Sequence, residues 1–199
     1  RFPQQMIEES RKNETVDYSK FEIVKHSLYS SVRPYHFHQI GKILKRTFAR
    51  PRIIIDICAH IGCSTINMSH IYPNTKFISV EINKRVFNLL CNNIKTFRLK
   101  SRITPVHANG IPFIKRIGAK RVMADFVTLD PPWGGPTYTK QKSMSLTLHN
   151  TNGTSIPIYD IINDIFERGV SENAVFKAPI NFDIKAFKTG IHGSVKTYP

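Results

Sequence analysis

Residues 124–136 read ADFVTLDPPWGGP and join an apolar, β-branched run to a segment rich in proline and glycine. The first part is typical of a buried parallel strand, so the second part begins just past the carboxyl end of that strand. Ligands of open α/β sheets bind at this edge. The glycines allow a close approach, Trp133 offers a flat face to a planar ligand, and Asp130 can accept a hydrogen bond from an amine.

Outward from this segment, short apolar runs alternate with longer amphipathic ones from residue 52 onward. This alternation predicts βα units and an α/β, doubly wound, Rossmann-like sheet. The expected strands are 53–57, 76–82, 103–106, 126–130 and 174–177. The expected helices are 64–71, 84–99, 112–117, 158–168 and 183–189.

The chain before the first strand is expected to be helical. A helix is predicted from Pro34 to a point before Pro51, because its apolar residues recur at helical spacing. Residues 1–33 are predicted to form a small helical N-terminal extension that packs on a core domain of residues 34–199. The polar stretch 137–157 is expected to be either a lid on the substrate side or a disordered insertion.

The composition limits the class of protein. With 199 residues and 22.8 kDa, one domain with a small extension is expected, and the start at Arg1 suggests a fragment of a longer protein. The net charge of +15 favours a polyanionic partner, although a basic surface without a specific partner is the alternative. Three cysteines and no long apolar run favour a soluble intracellular protein without a membrane partner.

Polar residues end three consecutive predicted strands. Asp56 precedes a turn that contains Gly62, Glu81 can accept hydrogen bonds from ribose hydroxyls, and Asn109 can bond an adenine edge. Together they predict an adenosine-shaped site, although an ordinary βα turn and a solvated strand-end Glu are the alternatives. Cys58, His60 and Cys63 offer only three metal ligands on one turn, so we expect no metal site.

Together, these segments resemble the class I S-adenosylmethionine-dependent methyltransferases. Within that class they resemble the trimethylguanosine synthases, which methylate the N2 amine of the 7-methylguanosine cap of RNA. The run from Val127 to Tyr138 is similar to that family's Pro-Pro-Trp-Gly-Gly-Pro signature with its following Tyr. Residues 178–181 are similar to its Leu-Pro-Arg-Asn segment, and residues 31–34 to its Ser-Val-Thr-Pro entry. The likeness covers about residues 18–196.

The resemblance implies an RNA cap guanine-N2 methyltransferase that uses S-adenosylmethionine and binds capped RNA. Trp133 would stack on the cationic cap base and Asp130 would aim its N2 amine at the cofactor, which makes both catalytic. The implied cofactor-binding residues are Asp56, Ala59, His60, Gly62, Thr65, Glu81, Asn83, Asn109, Asp130 and Pro131. The implied substrate-binding residues are Tyr18, Phe21, Arg33, Pro34, Pro132, Trp133, Lys177 and Asn181.

The sequence also departs from this family. His60 and Cys63 stand where the family has glycines, and side chains there occupy space that the family leaves to the cofactor. The remaining departures are Asn109 for Asp, Asp130 for Ser and Ile180 for a phosphate-contacting Arg. Lys177 or Arg33 could supply the cation that Ile180 cannot.

Two other functions remain open at this stage. Asp-Pro-Pro-Trp is also the pattern of N6-adenine and some ribosomal-RNA guanine-N2 methyltransferases. A silent cap- or RNA-binding module, without a working cofactor pocket, is the third possibility. Residues 134–136, with Pro179 and Asn181, favour the cap enzyme. We expect a monomeric domain in the nucleus or cytoplasm, and the sequence leaves a viral origin open.

Overall fold

The apolar runs form a parallel sheet in the computed structural model, which describes residues 1–198 apart from the side chain of Pro136. The strands are β1 (Ile53–Asp56), β2 (Lys76–Glu81), β3 (Ile103–His107), β4 (Phe126–Leu129), β5 (Thr147–His149), β6 (Ser155–Pro157) and β7 (Ala174–Phe176). Five of them pair in the order β3-β2-β1-β4-β7, and every pairing is parallel. β5 and β6 form a separate antiparallel hairpin.

Helices precede, connect and follow these strands. They are α1 (Gln4–Lys12), α2 (Ser27–Ser30), α3 (Pro34–Thr47), α4 (Cys63–Ile71), α5 (Lys84–Thr96), α6 (Gly110–Ala119), α7 (Ile158–Glu167) and α8 (Ile184–Gly190). Short 3₁₀ turns occupy Tyr18–Lys20 and Pro136–Lys140. The predicted α/β doubly wound class is confirmed, and each strand or helix predicted from residue 52 onward is present with its ends within three residues.

The two faces of the sheet bury separate cores. Because adjacent residues of a strand point to opposite faces, Ile54 and Ile55 of β1 enter different clusters. Ile54 packs with residues of α1, α3, α4 and α5, whereas Ile55 packs with residues of α6, α7 and α8. Each face is therefore covered by helices, as expected for a parallel sheet.

The strand order reverses beside β1. The chain runs from β1 outward through β2 to β3, and then returns to place β4 on the other side of β1. In doubly wound sheets this reversal opens a crevice at the carboxyl ends of the two central strands. Asp56 is the last residue of β1, and Asp130 directly follows β4. The fold thus brings two carboxylates to the crevice.

The first 33 residues contribute to the core. Phe2, Tyr18 and Phe21 are buried and pack ring against ring, with centroids 5.1 to 5.8 Å apart. Asn93 of α5 accepts a hydrogen bond from the amide of Glu22 at 2.8 Å and donates one to its carbonyl at 3.0 Å. The extension therefore packs against the same helices that cover one face of the sheet.

Residues 137–157 fold against the core, which corrects the alternative of a disordered insertion, whereas a lid on the substrate side stays a prediction. Met144 and Leu146 are buried in the second core, and β5 and β6 pair across a turn closed by an Asn150–Thr154 backbone hydrogen bond of 2.8 Å. Gly153 has a φ of +83° in this turn. The signal for the hairpin was this glycine-containing turn between two short strands with β-branched residues.

Across residues 1–198, the helices all fall short of the length and hydropathy that a membrane span requires.

Candidate functional site

The turn after β1 is organised by a buried carboxyl group. Asp56 accepts hydrogen bonds from the hydroxyl of Thr65 at 2.7 Å and from the backbone amide of Cys58 at 3.3 Å. Burial raises the pKa of Asp56 to about 7, and the nearby carboxylates of Asp130 and Glu81 add to the rise. Asp56 and Thr65 thus shape the predicted cofactor turn from inside, because both are buried.

Two residues of this turn have left-handed backbone conformations. Gly62 has a φ of +86°, and a Cβ there would lie 2.6 Å from Cδ1 of Leu90. His60 has a φ of +51°, which a glycine adopts more easily than any other residue. Ala59 is buried, and its amide donates to the carbonyl of Val80 at 2.9 Å. The backbone of the turn is therefore fixed to β2 and α5.

The side chains of His60 and Cys63 are accommodated by the N-terminal extension. The His60 ring lies 5.2 Å from the ring of His26, and its Nδ1 lies 3.5 Å from Oγ of Ser30. The thiol of Cys63 donates to the hydroxyl of Tyr18 at 3.3 Å, and burial raises the pKa of this thiol to about 11. Both side chains thus contact the extension at the place where the family has glycines.

His60 is uncharged at neutral pH. Burial lowers its pKa to about 4, and His26 contributes to the decrease. Nε2 of His60 is buried and has no hydrogen-bond partner within residues 1–198. A neutral imidazole with one unsatisfied nitrogen can still bond a ligand.

Glu81 lies at the end of β2 and is held by two backbone amides. Oε2 accepts from the amide of His60 at 2.9 Å, and Oε1 accepts from the amide of Asn83 at 2.7 Å. Burial raises the pKa of Glu81. Each carboxylate oxygen keeps a further lone pair, so Glu81 can accept two hydroxyls of a ribose. The side chain of Asn83 caps α5 through the amides of Arg85 and Val86.

Asn109 is already bonded at both ends of its side chain. Its Oδ1 caps α6 by accepting from the amide of Ile111 at 2.9 Å, and its Nδ2 donates to the carbonyl of His149 at 2.9 Å. The hairpin missed by sequence reasoning supplies this second partner. Nδ2 keeps a second N–H and Oδ1 a second lone pair, so a hydrogen bond to an adenine edge stays a prediction.

The loop after β4 and the end of β7 form a cluster of four side chains. Nζ of Lys177 lies 2.6 Å from Oδ2 of Asp130 and 4.7 Å from the centre of the Trp133 ring. Tyr138 presents its ring at 77° to that of Trp133, with centroids 5.2 Å apart. Burial raises the pKa of Asp130, while Lys177 opposes the rise. The site therefore holds a cation between an indole and a carboxylate.

Asn181 ties the loop after β7 to the loop after β4. Its Nδ2 donates to the carbonyls of Tyr138 at 2.9 Å and Gln141 at 2.8 Å. Its Oδ1 and Nε1 of Trp133 are buried without partners within residues 1–198. Ile180 beside it is fully exposed, with a relative exposure of 102%. Unsatisfied polar atoms therefore occur in loops after β1, β4 and β7, which are neighbours in the sheet.

Other predicted site residues are buried or paired elsewhere. Tyr18, Phe21 and Pro34 are buried, so they have no exposed face for a base, which corrects the expectation of direct contact. Arg33 is 46% exposed and forms an ion pair with Glu9 at 3.3 Å. At the start of the motif, Pro131 is buried and Pro132 is exposed.

Residues 51–192 match the family model of the RNA cap guanine-N2 methyltransferases. The chain belongs to this family. It is 25% identical over 153 residues to the trimethylguanosine synthase of Schizosaccharomyces pombe, covering 76% of the chain and 59% of that protein. It is 24% identical over 136 residues to an uncharacterized protein of Acanthamoeba polyphaga mimivirus, covering 68% of the chain and 49% of that protein.

The solved structures agree on the fold. A SAM-dependent methyltransferase from Agrobacterium tumefaciens matches with a TM-score of 0.52 and 14% identity, over 75% of this chain and 47% of that one.

The chain spans about half to three fifths of the length of the curated relatives it matches. The predicted family, fold and cofactor, S-adenosylmethionine, are thereby confirmed.

Proposed function

We propose that this chain transfers a methyl group from S-adenosylmethionine to the N2 amine of the 7-methylguanosine cap of RNA. The observation that carries the proposal is the position of Lys177, whose ammonium group lies over the Trp133 indole and against Asp130. A 7-methylated guanine is itself a flat cation. The same indole face can attract it by about 0.5–2 kcal/mol beyond ordinary contact.

The residues around the turn after β1 suit the cofactor. When bound, S-adenosylmethionine supplies an electrophilic methyl group on a sulfonium centre. Glu81 would accept the ribose hydroxyls, and the backbone of residues 59–62 would line the rest of the pocket, supported by Asp56 and Thr65. The packing of His60 against His26 supports a working pocket over a silent module, because the ring contacts the extension.

On the acceptor side, orientation is the main task. Asp130 would accept a hydrogen bond from the N–H edge of the guanine and so direct the N2 lone pair at the methyl group. Positioning of this kind can lower a reaction barrier without a strong base. Lys177 would leave the indole on its flexible stem as the base enters, and its charge could then pair with a cap phosphate.

A second candidate is a methyltransferase for another exocyclic amine of a nucleic acid. The observation that favours it is Asp130, because the pair with Lys177 keeps an acceptor at a position where the cap family has Ser. An acid there could grip the N6 amine of adenine or the N2 amine of an uncapped guanine equally well.

Labelled S-adenosylmethionine separates these candidates. The protein is incubated with RNA that carries a 7-methylguanosine cap, an unmethylated guanosine cap or no cap. We expect transfer only to the first, and about 100-fold less transfer by Trp133→Ala, because stacking contributes about 1–3 kcal/mol per base. Trp133→Phe, which keeps an aromatic face, is the matched control and should retain more activity.

The outcomes against the proposal are distinct. Transfer that ignores the 7-methyl group would favour the second candidate. If calorimetry of the wild type detects no binding of S-adenosylhomocysteine at high concentration, the chain is a silent module instead. Equal affinity of the wild type and Trp133→Ala for 7-methylguanosine diphosphate would remove the stacking argument.

A further inference from the structure

A crevice of about 220 Å³ lies between α3, the end of α4 and the turn after α1. Its lining includes the basic side chains of His38, Lys42, Lys45 and His70 against a single carboxylate, that of Glu14. Lys42 and Lys45 are exposed, and neither makes an ion pair within residues 1–198. Their charges are therefore available to an anionic ligand.

The basic side chains of α3 share one face of the helix. His38, Lys42 and Lys45 follow each other at intervals of four and three residues, which places them in one row. Tyr35 stands three residues before His38 in the same row and is 49% exposed. Tyr35 and Lys45 are ten positions apart, so the row extends about 15 Å along the helix.

The chain reaches this row five residues after a contact with the turn that follows β1. Ser30, at the end of α2, has its Oγ 3.5 Å from Nδ1 of His60 in the turn after β1. Between Ser30 and Tyr35 the chain carries the half-exposed Arg33, and Tyr29 just before is 72% exposed. A strand leaving the site along this segment would meet aromatic and basic side chains in turn.

We propose that Tyr29, Tyr35, His38, Lys42 and Lys45, the α3 track, bind the single-stranded RNA that continues from the cap. Exposed aromatics give bases a stacking surface of any sequence, while cations follow the phosphates. The net charge of +15 supplies a field of the right sign. The direction from the cap rests on the proposed function, whereas binding of a single strand to the track does not.

The lysines are tested with a labelled ten-nucleotide RNA, capped or uncapped, by fluorescence anisotropy over a range of salt. We expect Lys42→Gln/Lys45→Gln to bind either RNA about tenfold more weakly. The slope of log affinity against log salt should fall by about 1.4, since each phosphate contact contributes about 0.7 for a single strand. Lys95→Gln/Lys100→Gln removes the same charge from exposed positions in and after α5 and should change affinity by less than about threefold.

The tyrosines give an independent readout. Tyr29→Ala/Tyr35→Ala should weaken RNA binding about tenfold or more, because each stacked base contributes about 1–3 kcal/mol. Binding of 7-methylguanosine diphosphate should stay unchanged in both α3-track variants, since this ligand has no RNA chain. One outcome would separate the two proposals. If the wild type does not distinguish capped from uncapped RNA, but the track variants alone bind RNA more weakly, the proposed function is overturned and the α3 track is supported.

The track is overturned by either of two results. Equal losses in Lys42→Gln/Lys45→Gln and Lys95→Gln/Lys100→Gln would show that net charge alone attracts the RNA. Wild-type affinity in both track variants would show that the strand leaves the site along another surface.

Discussion

The two halves of the proposed site, for the cofactor and for the methyl acceptor, are built differently. In the cofactor half, the turn after β1 with the end of β2, Asp56 and Glu81 bond to residues between 2 and 21 positions away. In the acceptor half, the loop after β4 with the end of β7, Asp130 bonds to Lys177, which is 47 positions away.

This difference has a functional meaning. The carboxyl groups of the cofactor half accept from backbone amides and a hydroxyl, which are neutral donors fixed by strands and helix ends. The acceptor half instead holds an internal ion pair whose lysine side chain is 31% exposed. A ligand can replace such a partner at modest cost, since a partly exposed pair contributes little net stability. The cofactor half is therefore preformed, and the acceptor half is exchangeable.

Replacing a glycine in each half is expected to produce the largest contrast. Gly62→Ala combines a φ of +86° with a Cβ only 2.6 Å from Leu90. Strain and overlap together should lower the free energy of unfolding by about 3 kcal/mol. Gly134→Ala has nearly the same φ, +84°, but no atom lies within 4 Å of the added Cβ.

Gly134→Ala is therefore the matched control and should cost only about 1 kcal/mol, the strain of the backbone alone. Urea unfolding of both variants measures the difference. Equal losses would mean that the turn after β1 relaxes freely, and the cofactor half would not be preformed.

A double-mutant cycle on Asp130 and Lys177 probes the acceptor half. Asp130→Ala should reduce methyl transfer to capped RNA about 100-fold, because the base loses its acceptor and Lys177 loses its partner on the indole. Lys177→Met should have a smaller effect, about tenfold, since the indole and the carboxylate remain.

The cycle is read from kcat/KM of the two single variants and the double variant. If the pair acts as a unit, the double variant should be no worse than Asp130→Ala alone. Strictly additive losses would show that Lys177 acts separately from Asp130, for instance on a phosphate only.

The cofactor half could be predicted from the sequence because its hydrogen bonds join residues that are close together in the chain, at the ends of strands and helices. Asp56 and Glu81 end strands with clear apolar patterns, so their common edge follows from the parallel sheet. Gly62 stands in a βα turn, where a left-handed residue is common. What sequence could not show is that His60 adopts a φ of +51° with its ring against His26, since that contact depends on the path of the extension.

The acceptor half was predicted only as separate residues. Trp133 and Asp130 lie in one recognisable motif, but nothing local connects them to Lys177, which β7 brings alongside β4. The hydrogen bond from Asn109 to the carbonyl of His149 was missed, because the hairpin that carries His149 was not foreseen. Contacts made by side chains distant in sequence were thus the part that pattern reasoning missed.

The raised pKa of Asp56, in the cofactor half, predicts that the free energy of unfolding depends on pH. A pKa of about 7, against an ordinary 3.8, means that the folded state holds a proton that the unfolded chain has lost. The free energy of unfolding should therefore fall as the pH rises from about 4 to about 7, by up to about 1.4 kcal/mol per pH unit, and level off above.

Asp56→Asn removes this ionisation with little change of shape. Urea unfolding from pH 4 to pH 8 should show a shallower decline for the variant than for the wild type. Asp130 and Glu81, whose pKa values are also raised by burial, contribute to both curves, so the difference reports Asp56. Parallel curves would mean that Asp56 titrates alike in the folded and unfolded states.

The smallest change in stability is expected at His60, which tests how complete the cofactor half is before the cofactor binds. His60→Gly removes the left-handed strain together with the ring, so the two changes should offset each other to within about 0.5 kcal/mol of wild-type stability. His60→Ala keeps the strain but loses the ring contacts with His26 and Ser30, and should be about 1 kcal/mol less stable than His60→Gly. Calorimetry with S-adenosylhomocysteine should give affinities within about threefold for the wild type and His60→Gly, a free-energy difference below about 0.7 kcal/mol. A tenfold gain in the glycine variant would instead show that the imidazole obstructs the pocket, and the cofactor half would then be less complete than its hydrogen bonds indicate.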